Sequence, residues 1–259
     1  MPTSTLRTLA ALLLLAVLLL TPTWLSANTN GEAGVDALRL NVSPRGYPPY
    51  LIVDNDRVSG IVWDVINRIS SQLEIPVETA RIPRKRVDGM ILSGYINATP
   101  RAIEWTDNPD HFLFTDTIVP VEEVFFHPVA SEFVFNNIDD LKAKVFVTHL
   151  GYQYPYLDEL FENGLAKRFD VADDLDLFRY LLDSQRFDAA ISDRLVGQWL
   201  IRNHPQIGGY LTSTERSISN FGLRLMVRKD MGDFVECFNE ALAELKTSGE
   251  LDKILARYR

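Results

Sequence analysis

The sequence predicts an α/β fold built as two lobes of similar size. Strand-length apolar alternations recur between helix-length amphipathic stretches, the order expected of parallel βαβ units with helices covering the sheet. That alternation runs twice, on either side of an extended apolar segment at 117–126. A chain of 259 residues has room for one large domain or two small lobes with a real core. Apolar content of 46% and aromatic content of 10% describe an ordinary globular chain rather than a disordered one. A net charge of -9 argues against nucleic acid as a general partner, because phosphate binding needs a basic surface.

Residues 1–27 read as a secretory signal and not as part of the fold. Arg7 precedes an apolar run from Leu9 to Leu20, and the stretch closes on small residues at Ala27. The run is short for a membrane span, and no Cys follows it to carry a lipid anchor. The mature protein is therefore expected in the periplasm, after a polar lead at 28–36. The single Cys237 sits at helical spacing with Phe234, Phe238, Ala241, Leu242 and Leu245, which predicts a buried, inert thiol.

The first strand is expected over 37–42, followed by the Pro-rich turn that holds Tyr47 and Tyr50. Aromatic residues at such a strand end serve either as loop packing or as a ligand wall. A helix over 61–73 carries an apolar stripe of Val62, Val65, Ile66, Ile69 and Leu73, and Asp64 suits its positive end. A strand over 77–82 leads to a short helix opened by Arg84, Lys85 and Arg86. A basic first turn opposes the helix dipole, so Arg84 or Arg86 is either an exposed solvated residue or an anion contact. Gly94 ends that helix and a third strand is expected over 95–98, leaving Thr99, Pro100 and Arg101 as a corner at its tip. Ligand crevices of α/β folds form at such carboxyl ends. Arg101 is either an ordinary exposed loop residue or the holder of an anionic group.

The pattern restarts with a strand over 144–148, the turn His149 to Tyr156 and a helix over 156–163. A strand over 167–171, a helix over 174–184, a strand over 187–192 ending in Asp193, and a helix over 195–203 complete it. Residues 208–220 read as irregular, 221–227 as a strand, 231–248 as a long helix broken by Gly249, and 251–258 as a last helical turn or two.

In this order the pieces resemble the family 3 bacterial extracellular solute-binding proteins, over nearly the whole mature chain. The resemblance rests on Tyr47-Pro-Pro-Tyr50, Gly60-Ile-Val-Trp-Asp64, Leu92-Ser-Gly94 and Phe114-Thr-Asp116. It continues in Ile138-Asp-Asp-Leu-Lys142, Arg186-Phe-Asp-Ala-Ala-Ile-Ser-Asp193 and the C-terminal LAELKTSGELDKI. It implies a two-lobed periplasmic-binding-protein, or Venus-flytrap, fold, with each lobe a mostly parallel sheet flanked by helices and two hinge strands between them. The first lobe would comprise 28–118 with 220–259 and the second 124–214, with hinges at about 119–123 and 215–219.

By the same resemblance, Arg101 matches an Arg that grips an α-carboxylate and Asp193 an Asp that takes the α-amino group. Tyr47 and Tyr50 would wall the side-chain pocket, and Gly151, Tyr152 and Gln153 would line the second lobe's turn. Thr99 and Arg84 join the candidate ligand-binding residues on their own chemistry, a hydroxyl at the strand tip and a second guanidinium for an anion. A guanidinium offers paired donors to a carboxylate, and a desolvated carboxylate gives an ammonium its counter-charge. The chain departs from the family pattern at the shortened Ala98-Thr99-Pro100-Arg101 segment, at Val62, at Tyr152 and at Arg84.

The implied function is capture of a small polar or anionic solute, an amino acid or related carboxylate, by a monomer that delivers it to an ABC permease or a membrane sensor. The alternative is a cyclohexadienyl dehydratase-like enzyme, which would need a general acid in a dry cleft; Glu122, Glu123 and Asp193 are the carboxylates expected there. His111, His127, His149 and His204 are scattered without metal-ligand spacing, and no nucleophile elbow, P-loop or dinucleotide fingerprint occurs, so no cofactor or metal is expected. An input domain fused to a signalling module is not expected of a chain ending at Arg259.

Overall fold

A computed structural model describes residues 34–258 of the chain. The expected signal at 1–27 and most of the polar lead lie outside the described residues. Strand β1 (Leu38–Asn41) and the hairpin β2 (Ile52–Asp54) and β3 (Arg57–Ser59) precede helix α1 (Ile61–Gln72). Then come β4 (Val77–Ala80), α2 (Arg84–Leu92), β5 (Ala98–Arg101), β6 (Phe112–Phe114) and the long β7 (Val119–Pro128). The second run is β8 (Val145–His149), α3 (Asp158–Glu162), β9 (Lys167–Val171), α4 (Asp174–Asp183), β10 (Ala189–Asp193) and α5 (Arg194–Asn203). Strand β11 (Leu211–Ser213), the long β12 (Ser219–Arg228), α6 (Gly232–Thr247) and α7 (Glu250–Ala256) close the chain.

Strand order explains where the site lies. One path, β4-β1-β5-β12-β7-β10-β8-β9, forms the main sheet, with β6 added on β12 and β11 on β7, while β2 and β3 pair separately. The β1–β4, β1–β5, β8–β9 and β8–β10 pairs are parallel, as the βαβ pattern predicts. The two long strands run antiparallel where Val119–Glu123 faces Ser219–Leu223. Beyond that stretch β12 turns to β5 and β6, while β7 turns to β10 and β11. The carboxyl ends of β5 and β10 therefore approach each other across the β7–β12 ladder.

Helix α1 buries Ile61, Val62, Val65, Ile66 and Ile69, the stripe read from the sequence with Ile61 added and without Leu73, which is half-buried at the C-cap. Against it pack α6, through the buried Phe234, Phe238 and Leu242, and α7, through Ile254 and Leu255. Burial of each such side chain is worth about 1.5–3 kcal/mol. Asp64 does more than complement the helix dipole: it accepts the Tyr258 hydroxyl at 2.7 Å and Arg257 Nη2 at 2.9 Å, tying α1 to the C-terminus. In the second half, Phe125, Phe133 and Phe146 cluster on one face of the sheet, and Phe126 meets Phe178 edge-on at 5.1 Å on the other.

Three expectations need correction. The third strand is not 95–98 but Ala98–Arg101, so Thr-Pro-Arg lies inside it. Residues Tyr95 and Ile96 are still closing α2, both donating to the Met90 carbonyl, and Asn97 bonds through its side chain to Ala37 and Arg39. The sequence reads 54–60 as a turn and 208–220 as irregular, but Ile52–Asp54 and Arg57–Ser59 form the β2–β3 hairpin and Leu211–Ser213 forms β11. Cys237 is half-buried rather than buried, because it lies at the edge of the α6 stripe.

Candidate functional site

The loop after β1 is fixed from both sides. Tyr47 and Leu51 exchange backbone hydrogen bonds at 2.7 and 2.9 Å, and the carbonyls of Pro49 and Tyr50 accept the Ile61 and Val62 N–H groups that open α1. Those carbonyls satisfy donors that a helix start leaves without partners. Gly60, at φ 115°, permits the approach, since a Cβ there would sit 2.6 Å from the Tyr50 oxygen. The result is a pair of rings, Tyr47 and Tyr50, stacked at 5.3 Å. Trp105 stands edge-on to Tyr47 at 6.4 Å, and Phe221 edge-on to Trp105 at 6.0 Å.

Arg101 ends β5 and is buried, only 7% exposed. Asn41, at the end of β1, braces that strand by donating to Thr99 Oγ1 at 3.1 Å and accepting from Ile82 N at 3.1 Å. Arg101 Nη1 pairs with Asp88 of α2 at 3.0 Å. Its Nε and Nη2 have no hydrogen-bond partner among the described residues. Burial pulls the guanidinium down from its ordinary value and Asp88 pulls it back, and an Arg at such a position keeps its charge.

Across the β7–β12 ladder stands Asp193, 5% exposed. It caps α5 through Val196 N at 3.0 Å, accepts Glu122 N at 3.0 Å, and accepts the Tyr50 hydroxyl at 2.9 Å. Burial raises its carboxyl to about 6, partly offset by these bonds. Glu123 faces Asp193 in the β7–β10 register. It is 7% exposed, accepts the Ser219 hydroxyl at 2.5 Å, and burial raises it to about 7.

Two cavities meet at a wall of Tyr47, Trp105 and Tyr152. The larger, about 150 Å³, holds Asn41, Tyr50, Arg84, Thr99, Arg101 and Gln153 in its lining. The smaller, about 20 Å³, is lined among others by Glu123, His149, Tyr154, Asp174, Ser192 and Asp193. Tyr152 stacks on His149 at 4.0 Å, with the Arg84 guanidinium 5.7 Å from its ring centre. Burial raises the Tyr152 hydroxyl, so this wall is neutral at physiological pH.

Of the residues expected from sequence, Tyr47, Tyr50, Arg84, Thr99, Arg101, Tyr152 and Gln153 line the larger cavity and Asp193 the smaller. Gly151 lines neither. It is exposed and left-handed at φ 79°, and its part is to turn the chain so that Tyr152 points inward. Trp105, Asn41, Asp174 and Ser192 were not singled out in the sequence. Trp105, an aromatic residue in the polar 102–111 loop, carried the clearest signal. A polar residue closing an apolar strand, as Asn41 does, was the other.

Residues 39–259 match the sequence profile of the bacterial extracellular solute-binding proteins, family 3. The arginine-binding extracellular protein ArtP of Bacillus subtilis is 23% identical over 243 residues, which is 90% of each chain. A putative ABC-transporter binding component from Wolinella succinogenes, complexed with lysine, superposes with a TM-score of 0.73 at 19% identity, covering 86% of this chain and 95% of that one. A histidine kinase sensor domain similar to periplasmic binding proteins gives a TM-score of 0.69 at 21% identity, with the same two coverages. The fold is thus the two-lobed periplasmic-binding type.

Proposed function

Because the chain belongs to the bacterial extracellular solute-binding proteins, family 3, we propose that it captures a small amino-acid-like zwitterion in the cleft beside the β7–β12 ladder. The solute's carboxylate meets Arg101 and its cationic group enters the acidic cavity that holds Asp193. The observation that carries this reading is Arg101: a buried guanidinium with donors still unpartnered among the described residues, lining a cavity with Thr99. Buried polar groups are hydrogen-bonded in finished structures, and a carboxylate matches a guanidinium fork. Tyr47, Tyr50 and Tyr152 wall the solute's side chain.

On this reading the lobes are 28–118 with 220–259 and 124–214. The crossings near 119–123 and 215–219 are the hinges. Members of this family are extracellular or periplasmic, and residues 1–27 serve as the export signal. The protein acts as a carrier rather than an enzyme, and it passes its solute to an ABC permease or to a membrane sensor.

A thermal-shift screen of the mature protein against amino acids, dicarboxylates, amines and short peptides tests the proposal. A true ligand at a hundredfold excess over its dissociation constant stabilises by about 2.7 kcal/mol. Arg101→Ala is expected to abolish the shift, since removing one partner of a buried charge pair costs about 2–5 kcal/mol. Undiminished binding by that variant would sink the assignment.

One observation favours a second reading, a dehydratase on the same fold. Glu123 is buried and raised to about 7, near the value a general acid needs at neutral pH. Turnover of prephenate or arogenate, followed by ultraviolet absorbance, would carry it, and an inert protein retires it.

A further inference from the structure

We infer that the larger cavity takes two anionic groups, one at Arg101 and a second at Arg84, so that the solute is an amino acid with an acidic side chain. This rests on the reading of an amino-acid-like solute and narrows it. The second position lies between Arg84 of α2 and the turn after β8 that carries Tyr152 and Gln153.

The lining sets the sign of the ligand. Arg84 and Arg101 share this cavity, and no Asp or Glu stands among the described residues that line it. Burial is the main cause that pulls the Arg101 guanidinium down; Asp88 pulls it back, and the Arg84 charge lowers it again. An anion between the two guanidiniums offsets that repulsion. Helix α2 also opens on Arg84, Lys85 and Arg86 with no acidic residue in its first turn. A basic first turn opposes the helix dipole, and a carboxylate bound at this end compensates for it.

The two guanidiniums hold different places. Arg101 is buried and Arg84 exposed, so the first anion sits deep and the second nearer to solvent. Arg101 has a carboxylate neighbour, Asp88, whose Oδ1 lies 3.0 Å from Nη1. That oxygen is buried yet makes no hydrogen bond, so the contact is one of charge and not an aligned fork. Arg84 stands in no ion pair among the described residues. Its Nη2 donates a long bond to the Trp105 carbonyl at 3.4 Å, and its guanidinium lies 5.7 Å from the Tyr152 ring centre. A ring at that distance holds a guanidinium in place without using its N–H groups, which are left for a carboxylate. Burial keeps the Tyr152 hydroxyl protonated, which makes it a further donor. Size agrees: the cavity is about 150 Å³, on a measure where one water needs roughly 10–15 Å³, which leaves room for about ten non-hydrogen atoms. A short acidic amino acid fits that space.

Titration calorimetry on the mature protein tests this by comparing aspartate and glutamate with their amides, asparagine and glutamine, on the wild type and on Arg84→Gln. An acid and its amide match in size, so each pair isolates the second charge. The wild type is expected to bind one acid at least about tenfold more tightly than its amide. On Arg84→Gln that preference should vanish, and Arg84→Lys, which keeps the charge, should restore part of it. Amides bound as well as acids by the wild type, or a preference that survives Arg84→Gln, overturn the second position and leave the amino-acid reading standing. Equal losses of acid and amide on the variant make Arg84 a plain wall and overturn it too. If no amino acid binds the wild type, the amino-acid reading falls. Binding of the dicarboxylate glutarate with the same dependence on Arg84 then upholds the second position, and no binding of glutarate retires both.

Discussion

The Tyr50 hydroxyl donates to the Asp193 carboxylate at 2.9 Å, and the two residues come from opposite sides of the β7–β12 ladder. Its bond to Asp193 spans 143 residues of sequence and is buried. Asp193 carries a proton below about pH 6 and is charged above it. A hydrogen bond to a charged group is worth about 1.5–3 kcal/mol, and one between neutral groups about 0.5–1.5. Tyr50→Phe is therefore expected to cost more stability at pH 8 than at pH 5, as urea unfolding at the two values would read. A penalty that is the same at both would mean that the hydroxyl serves only as packing. Sequence made Tyr50 and Asp193 candidates separately, but nothing in it joined them.

At the scale of elements, α5 lies close enough to β7 that one glycine decides the fit. A Cβ on Gly197 would stand 2.1 Å from the Phe126 ring, whose other side meets Phe178. Helix propensity favours Ala over Gly by about 1 kcal/mol, while overpacking a filled core costs about 1–3 kcal/mol. The clash wins because Phe126 is buried and hemmed in, so Gly197→Ala should lower the melting temperature. A raised value in calorimetry would show that the ring can yield. Helix stripes such as Val62, Val65, Ile66 and Ile69 were legible because a period of 3.6 residues is a property of the chain itself. The shift of the third strand to Ala98–Arg101 was not legible, since the closure of α2 on Met90 and the pairing of Arg101 with Arg224 depend on partners far along the sequence.

For the whole molecule, the buried carboxyls set a pH dependence. The folded values of Glu123, about 7, and Asp193, about 6, lie above those of the unfolded chain. The folded state thus holds more protons between about pH 4 and 7, and stability falls as pH rises through that window. The unliganded protein should be a few kcal/mol more stable at pH 5 than at pH 8. Glu123→Gln should flatten the slope, and equilibrium unfolding across that range checks both.

The sequence by itself determined the α/β alternation, its repetition around an extended segment, the family, and the residue types at the strand tips. Local periodicity and turn chemistry carry that information, since each is decided within a dozen neighbouring residues. The tertiary structure decided which of those residues face one another. It put Arg101 inside a strand and against Asp88, and gave the oxygens of Asp193 to Tyr50, Val196 and Glu122. Hydrogen-bond satisfaction is a property of pairs brought together by the β7–β12 ladder, so no single stretch of sequence contains it.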